Sequence, residues 1–316
     1  MIVRRVLEVP VVLFIVSAAV FWLVQVVPGD PGRAALGQFA TQAQINRWKA
    51  ANGLDGSTLE RYGQWLGGFV SGHLGTSLSY NAPVASVMWP RFGNSVLLGI
   101  YAFVLIALFG IALGLFQAIR RGTRLDQGIN VALVSLSSIP EFATGSLLLV
   151  LFAVGVPLFP VHSEVDASTD IGARLVAMTM PAIALAVASI GYVARMVRTQ
   201  AVGSLESQFY RTAVLKGLSR RRIVRAHLLR NSLVPSVAVL GGQLAYLVAG
   251  NVIVETLFSY PGIGALIVDS VQKKDLLVLE SAVMVTATAS ILLLLVADLV
   301  NLALDPRIDL SPRSRR

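Results

Sequence analysis

The chain has 316 residues, of which 55% are hydrophobic and only 14% charged, with a mean hydropathy of +0.72. A soluble domain carries about 25% charged residues, so most of this chain is expected to lie in lipid. It has no cysteine, which excludes disulfides, thiolate metal sites and a cysteine nucleophile, and its net charge of +9 falls in short segments beside apolar runs, which fits membrane topology rather than nucleic-acid binding.

In chain order, Met1 to Arg5 precede an apolar run from Val9 to Val27. The run is longer than the apolar core of a signal peptide and close to the ~20 residues that span a bilayer. It ends in Val27-Pro-Gly-Asp-Pro31, a poor cleavage site, and is read as an uncleaved first span. Residues 28–94 form a long polar segment. Thr41-x-x-Gln44 and Ser57-x-x-Glu60 have the form of capping boxes, each opening a short helix, with Asn52-Gly53 and Gly72 as stops. Trp48, Tyr62, Trp65, Phe69 and Trp89 supply rings for packing, for the headgroup layer or for a partner.

Five more spans follow: Ser95–Ile119; Ile129–Val156, interrupted near Pro140; Leu175–Val197, containing Pro181; Leu233–Leu257; and Ser281–Leu304. By this division, Arg4/Arg5, the Arg120–Arg124 loop, the Arg195–Arg230 loop and the tail from Arg307 lie on one side and hold 18 of the 26 Lys and Arg. Short basic loops mark the cytoplasmic face, which places both termini there. The expectation is an all-α polytopic membrane protein. It is one domain, 1–316, with six spans and a large external loop after the first.

The segment 198–232 is the densest in positive charge. From Ala201 to Lys216, Leu205, Phe209, Ala213 and Lys216 recur at helical spacing. Gly217 then breaks the pattern, and Ser219 is placed to cap a second helix that begins Arg220-Arg221-Arg222 and runs toward Asn231. The residues alone leave two readings open: a topology anchor on anionic lipid, or an element gripped by another protein.

The segment resembles the cytoplasmic coupling loop of the permease subunits of ATP-binding-cassette importers. Arg211, Thr212, Ala213, Lys216, Gly217, Leu218, Ser219, Arg221 and His227 fall on the pattern Arg-Thr-Ala-x-x-Lys-Gly-Leu-Ser-x-Arg-Arg and His-x-Leu-Arg-Asn, with Arg220 at its variable position. That pattern characterises the dipeptide/oligopeptide/nickel branch. Arg211 stands where the general family has glutamate, and Arg230 falls near its usual proline. Further resemblances, in the same order, are Val27-Pro-Gly-Asp-Pro31, Gly72-His-Leu-Gly-Thr-Ser77 with Pro83-Val84, Ser138-Ile-Pro-Glu-Phe142 and Thr179-Met-Pro-Ala182. Val254-Glu-Thr-Leu-Phe-Ser-Tyr-Pro-Gly-Ile-Gly264 and Leu304-Asp-Pro-Arg307 complete them.

The resemblance implies the type I importer permease fold in a bacterial cell membrane. It also implies a second, homologous permease sharing the path, two ATPase subunits that bind ATP and magnesium, and an external substrate-binding protein. This subunit would itself be non-catalytic and without a cofactor. The implied cargo is a di- or oligopeptide, with nickel, haem or glutathione as alternatives in the same branch.

Within the spans, Ser135, Ser137, Ser138, Pro140 and Glu141 make a kinked polar stretch that suits a cavity-lining helix. Glu141 is read as biasing the path toward positive groups, such as a peptide amine, or as a packing contact between helices. Gly241 and Gly242, with Gln243 and Gly250, mark close helix contacts or a flexible part of the path. Asp298 is expected to face a neighbouring helix, and Glu255 to lie near water at the outer end of span five.

Two other function classes fit the residues less well. A membrane enzyme lacks support, because there is no Gly-x-x-x-x-Gly-Lys-Ser/Thr loop, no His-Glu-x-x-His and no pair of aspartates at mid-membrane. An ion-coupled secondary transporter would use Asp298 and Glu141 but leaves the coupling-loop pattern unexplained.

Overall fold

The computed structural model describes residues 2–26, 30–37, 39–51, 53–166, 168–217 and 229–304. Of the resemblances read from sequence, 27–29 and 305–307 lie outside these residues, as do Asn52, Leu218, Ser219, Arg220, Arg221 and His227.

Helix α1 runs Ile2–Val26. A cap follows, made of α2 (Pro31–Leu36), α3 (Gln42–Ala51), α4 (Thr58–Ser71) and a small antiparallel hairpin of β1 (Thr76–Ser77) and β2 (Ala82–Pro83). Both capping boxes form. Thr41 N–H donates to Gln44 Oε1 at 2.8 Å and Gln44 N–H to Thr41 Oγ1 at 3.3 Å. Ser57 N–H donates to Glu60 Oε2 at 3.0 Å and Glu60 N–H to Ser57 Oγ at 3.3 Å. Gly53 and Gly72 both take positive φ, and Gly72 closes α4 in the left-handed conformation.

The aromatic residues of α4 pack inward. Tyr62, Trp65 and Phe69 recur at helical spacing and stack with one another, and Tyr62 and Trp65 also meet Phe21 of α1 at 5.3 and 5.9 Å between centroids. A Ser17–Tyr62 hydroxyl contact of 2.8 Å adds a polar tie. For these three rings, packing against the first helix accounts for their spacing.

The bundle contains α5 (Val84–Ile119), α6 (Arg124–Ser137), α7 (Glu141–Leu149) with a π-helical turn at Val150–Gly155, and α8 (Ile171–Glu206). It continues through α9 (Gln208–Leu215), α10 (Leu229–Val248), α11 (Val252–Leu257), α12 (Ile263–Lys273) and α13 (Leu276–Leu304). Among the described residues, four helices (α1, α5, α8 and α13) are long and apolar enough to cross a bilayer. A fifth span arises if α6 and α7, bent by 95° at a break, are counted as one. That break falls at Ser138–Pro140, where the missing N–H of proline ends the helical ladder.

Among the described residues, α5 and α8 make the largest helix–helix interface. Small residues allow it: a Cβ on Gly114 would stand 2.6 Å from the Ala194 carbonyl oxygen, and one on Gly110 would stand 2.7 Å from Val193 Cγ1. In lipid, such close backbone approach replaces the hydrophobic driving force that water supplies. Leu98, Ala102 and Ile106 of α5 meet Met178 to Val197 of α8 in the main core. A second core joins the cap to α12 and α13 through Val84, Met88, Ile263, Leu266, Val278 and Ala282. Outward faces carry exposed Leu7, Phe14, Leu108, Val131 and Val154, apolar side chains suited to lipid.

Three expectations are corrected. The helix that carries the second span starts at Val84, well before Ser95, because Val84 and Met88 are buried against α12 and α13 and extend the helix through Pro90. Span five does not run to Leu257: α10 stops at Val248, and Gly250, at φ +87°, turns the chain back. The amphipathic helix expected from Ala201 to Lys216 is two helices, because Ser207 is extended and its hydroxyl accepts from Tyr210 N–H at 3.3 Å, opening α9.

Candidate functional site

The basic end of the bundle is organised by α8. At 36 residues it is about 54 Å long, well beyond the ~30 Å of a hydrocarbon core. Its last turns therefore carry core packing out to α9 and the basic segment. Arg211, Thr212 and Ala213 lie in α9; Lys216 and Gly217 follow it, and the Thr212, Lys216 and Gly217 surfaces are exposed. Gly217 has φ +72°, the left-handed conformation that favours glycine, at the residue where the sequence pattern breaks.

A bidentate ion pair ties α8 to α6 just before this turn. Arg198 Nε donates to Asp126 Oδ1 at 2.9 Å, and its terminal nitrogen donates to Oδ2 at 2.7 Å. Gly122 N–H also donates to Asp126 Oδ2, at 3.1 Å, and Asp126 is buried. Arg121 pairs with Glu206 at the end of α8. Sequence reading missed the Asp126–Arg198 pair, because 72 residues separate its members. Arg198→Ala leaves a buried carboxylate without its cation. The expected cost is about 3 kcal/mol, at the low end for such losses because the Arg198 side chain is 31% exposed. Thermal melting of the purified chain in mild detergent checks it, with Arg198→Lys expected to lose less.

At the break between α6 and α7, the Ser138 hydroxyl donates to Val134 O at 2.9 Å. Glu141 opens α7, and the Tyr246 hydroxyl of α10 reaches both its carboxylate oxygens, at 3.2 and 3.3 Å. Gly242 lies one helical turn before Tyr246, on the same face of α10, and has open space above it. Gly241 faces the other way, where a Cβ would stand 2.2 Å from Ala297 Cβ of α13. Gln243 Oε1 is buried without a hydrogen-bond partner among the described residues. Of the candidate path residues, the geometry thus brings Glu141 and Gly242 to one partly open face with Tyr246. Tyr246 was not foreseen, although its i+4 spacing from Gly242 was legible.

Glu255 is buried at 1% exposure, against the expectation of contact with water. The turn at Gly250 folds α11 back so that the N-terminus of α12 covers it. Ser95 Oγ donates to Glu255 Oε1 at 2.6 Å, and Ala265 N–H donates to Oε2 at 3.0 Å. The carboxylate therefore caps α12. Ser95 Oγ in turn accepts from Ile263 N–H at 2.8 Å, and the Tyr260 hydroxyl donates to Asn94 O at 2.8 Å. Any Cβ at Gly262 or Gly264 would strike Glu255. The segment 254–264 is thus a lock between α11, α12 and the start of α5. Asp298, on α13, has an interaction partner in the molecule.

The cap is clamped to the same end. Ser77 Oγ and Ser79 N–H both donate to Asp275 Oδ2, and the Tyr80 hydroxyl donates to Asp269. Lys273 pairs with Asp269 at 2.9 Å and sits 4.7 Å over the Tyr80 ring. Burial pushes the Asp269 carboxyl up, but the Tyr80 and Lys273 bonds outweigh it and hold the group below the ordinary aspartate range. Among the described residues, no group of three or more His, Cys, Asp or Glu could hold a metal ion.

Known protein families and relatives match nearly the whole chain. Residues 110–310 match the family described as binding-protein-dependent transport system inner membrane component, and residues 1–100 match the N-terminal model of the same systems. The chain is 34% identical to the dipeptide transport system permease protein DppB of Lactococcus lactis subsp. cremoris, over 94% of this chain and 95% of that protein. It is 31% identical to the di/tripeptide transport system permease protein DppB of Pseudomonas aeruginosa, over 93% and 94%. To the glutathione transport system permease protein GsiC of Escherichia coli it is 32% identical, over 97% and 98%. With several apolar helices long enough to cross a bilayer and matches along nearly its whole length, this chain belongs to the binding-protein-dependent transport system inner membrane components, the multi-pass permease subunits of ATP-binding-cassette importers.

Proposed function

We propose that this chain is the first permease of a heteromeric importer for short peptides. It crosses a bacterial plasma membrane six times, with both termini in the cytoplasm and the 28–94 cap outside. A second permease completes the path, an external binding protein delivers cargo, and two ATPase subunits bind ATP and magnesium below. α10 supplies the sixth span.

The observation that carries this reading is the run of α8 from the apolar core to Glu206, joined through the single extended residue Ser207 to α9 and the exposed Thr212, Lys216 and Gly217. A helix packed tightly on α5 and braced by Asp126–Arg198 moves as a stiff body. Force applied to α9 and the Gly217 turn by the ATPases then reaches Pro181 and the core as displacement, not as local bending. Arg211, Ala213, Leu218, Ser219, Arg220, Arg221 and His227 complete the coupling element in this reading. Purification in mild detergent tests it. A second permease and ATPase subunits should accompany the chain and hydrolyse ATP; a chain recovered alone, without nucleotide turnover, would refute the reading.

The relatives' names speak of dipeptides, tripeptides and glutathione. All three cargoes carry a protonated amine. Glu141, held by Tyr246 on a partly open face, offers that amine an acceptor in the path. Glu141→Gln should lower uptake of a free-amine tripeptide by about tenfold, the scale of one charged hydrogen bond, while an N-acetylated tripeptide changes little. Equal effects on both peptides would leave Glu141 as a packing contact only.

A further inference from the structure

A cavity of about 550 Å³ lies between the cap and the bundle, walled by Phe21 of α1, Arg61, Trp65 and Phe69 of α4, the hairpin segment, and Glu280 and Ser281 of α13. Its volume is within the range of ordinary small-molecule sites. It is separate from Glu141, Tyr246 and the basic turn, none of which lines it.

The wall chemistry is specific. Glu280 is 3% exposed and accepts no hydrogen bond from a described residue, and the Arg61 cation of the same wall acts on it only through space. A buried carboxylate that accepts no hydrogen bond is costly, even with a cation in reach, unless something in the cavity supplies a donor. Beside it, Ser281 is 1% exposed and its hydroxyl has no hydrogen-bond partner among the described residues; the Trp65 indole N–H is likewise unpartnered. Buried polar groups in native proteins are nearly always satisfied, so two such groups beside one carboxylate mark a place where a ligand supplies the missing bonds. The Phe21, Trp65 and Phe69 rings add π faces to the wall.

We propose that this cavity binds a protonated primary amine, with the ammonium donating to Glu280 and Ser281 and resting against the aromatic faces. One carboxylate with aromatic rings suits an organic ammonium, which is large and easily desolvated, and cation–π contact strengthens when water is excluded. A metal ion would need more oxygen ligands than this wall offers. Arg61 and His73 also line the cavity, and Arg61 is already engaged, 6.0 Å over the Phe21 ring. The ammonium belongs either to a peptide or to a phosphatidylethanolamine headgroup. The peptide source rests on the importer reading; the site chemistry does not.

The test is calorimetric titration of the full chain in phosphatidylcholine nanodiscs, without nucleotide, using trialanine and N-acetyl-trialanine. Saturable binding of trialanine is expected, weakened about 10- to 100-fold by N-acetylation and by Glu280→Gln, and less by Ser281→Ala. The acetylated peptide tests the site on the unaltered chain, so the result stands if a variant fails to fold. In nanodiscs containing phosphatidylethanolamine, loss of trialanine binding assigns the site to the lipid headgroup, and unchanged binding assigns it to peptide. If trialanine does not bind in phosphatidylcholine, phosphatidylethanolamine is titrated in its place. Absence of binding by both amines, or binding indifferent to acetylation and to Glu280→Gln, overturns the proposal. Because no ATPase is present, that failure would leave the coupling reading intact.

Discussion

Glu255→Ala is expected to destabilise the chain by on the order of 4 kcal/mol, since hydrogen bonds to a charged group contribute about 1.5–3 kcal/mol each and orphaned donors add their own cost. The substitution removes the acceptor for Ser95 Oγ and Ala265 N–H and opens a void against Gly262 and Gly264. With the cap of α12 gone, the hold of α11 and α12 on the start of α5 weakens. The readout is melting of the detergent-solubilised chain, followed by size-exclusion profile, with a drop on the order of 5–10 °C. Ser95→Ala should lose less, because the Ala265 N–H bond to Glu255 remains, and the double variant should fall short of the sum, as coupled residues do. A melting point unchanged by Glu255→Ala would remove the lock from the account.

The second large effect is functional. Gly217 is exposed and has φ +72°, a conformation that costs an ordinary L-residue about 1–2 kcal/mol and a β-branched one more. Nothing lies within 4 Å of a Cβ there, so the burden of Gly217→Val falls on backbone direction rather than on crowding. The chain should insert and assemble, but leave the turn at the wrong angle for an ATPase groove. Uptake should fall at least about tenfold, the loss expected when a coupling geometry worth ~1.4 kcal/mol or more is removed. Gly217→Asn should retain most activity, because asparagine tolerates the left-handed region. Equal uptake by the Val and Asn variants would show that the turn does not matter.

Much of the architecture was legible because the signals were local. The capping boxes at Thr41 and Ser57, the stops at Gly53 and Gly72, the break at Pro140 and the turn at Gly217 each depend on a few adjacent residues. What was not legible depends on distant partners. Hydropathy runs on through Gly250 to Leu257, so nothing local signals that α11 folds back under α12 to bury Glu255. The start of α5 is hidden for the same reason: Pro90 and Arg91 dilute its hydropathy, and only burial of Val84 and Met88 against α12 and α13 extends the helix. Ser207 did carry a local sign, a hydroxyl placed to cap α9, but the surrounding apolar spacing masked it. Glu280 was overlooked because it stands one residue before the apolar run taken as span six.

The most direct measurement of the coupling reading uses the absence of cysteine from the chain, which makes a single introduced thiol unambiguous. Lys216→Cys, at the exposed turn, should cross-link to an ATPase subunit in membranes and stay unreactive to an impermeant maleimide added outside intact cells. Val70→Cys, on the 80% exposed face of the cap, should do the reverse. A Lys216→Cys thiol labelled from outside, or never joined to an ATPase while the complex turns over ATP, would contradict the assignment of this turn as the point where ATP drives the path.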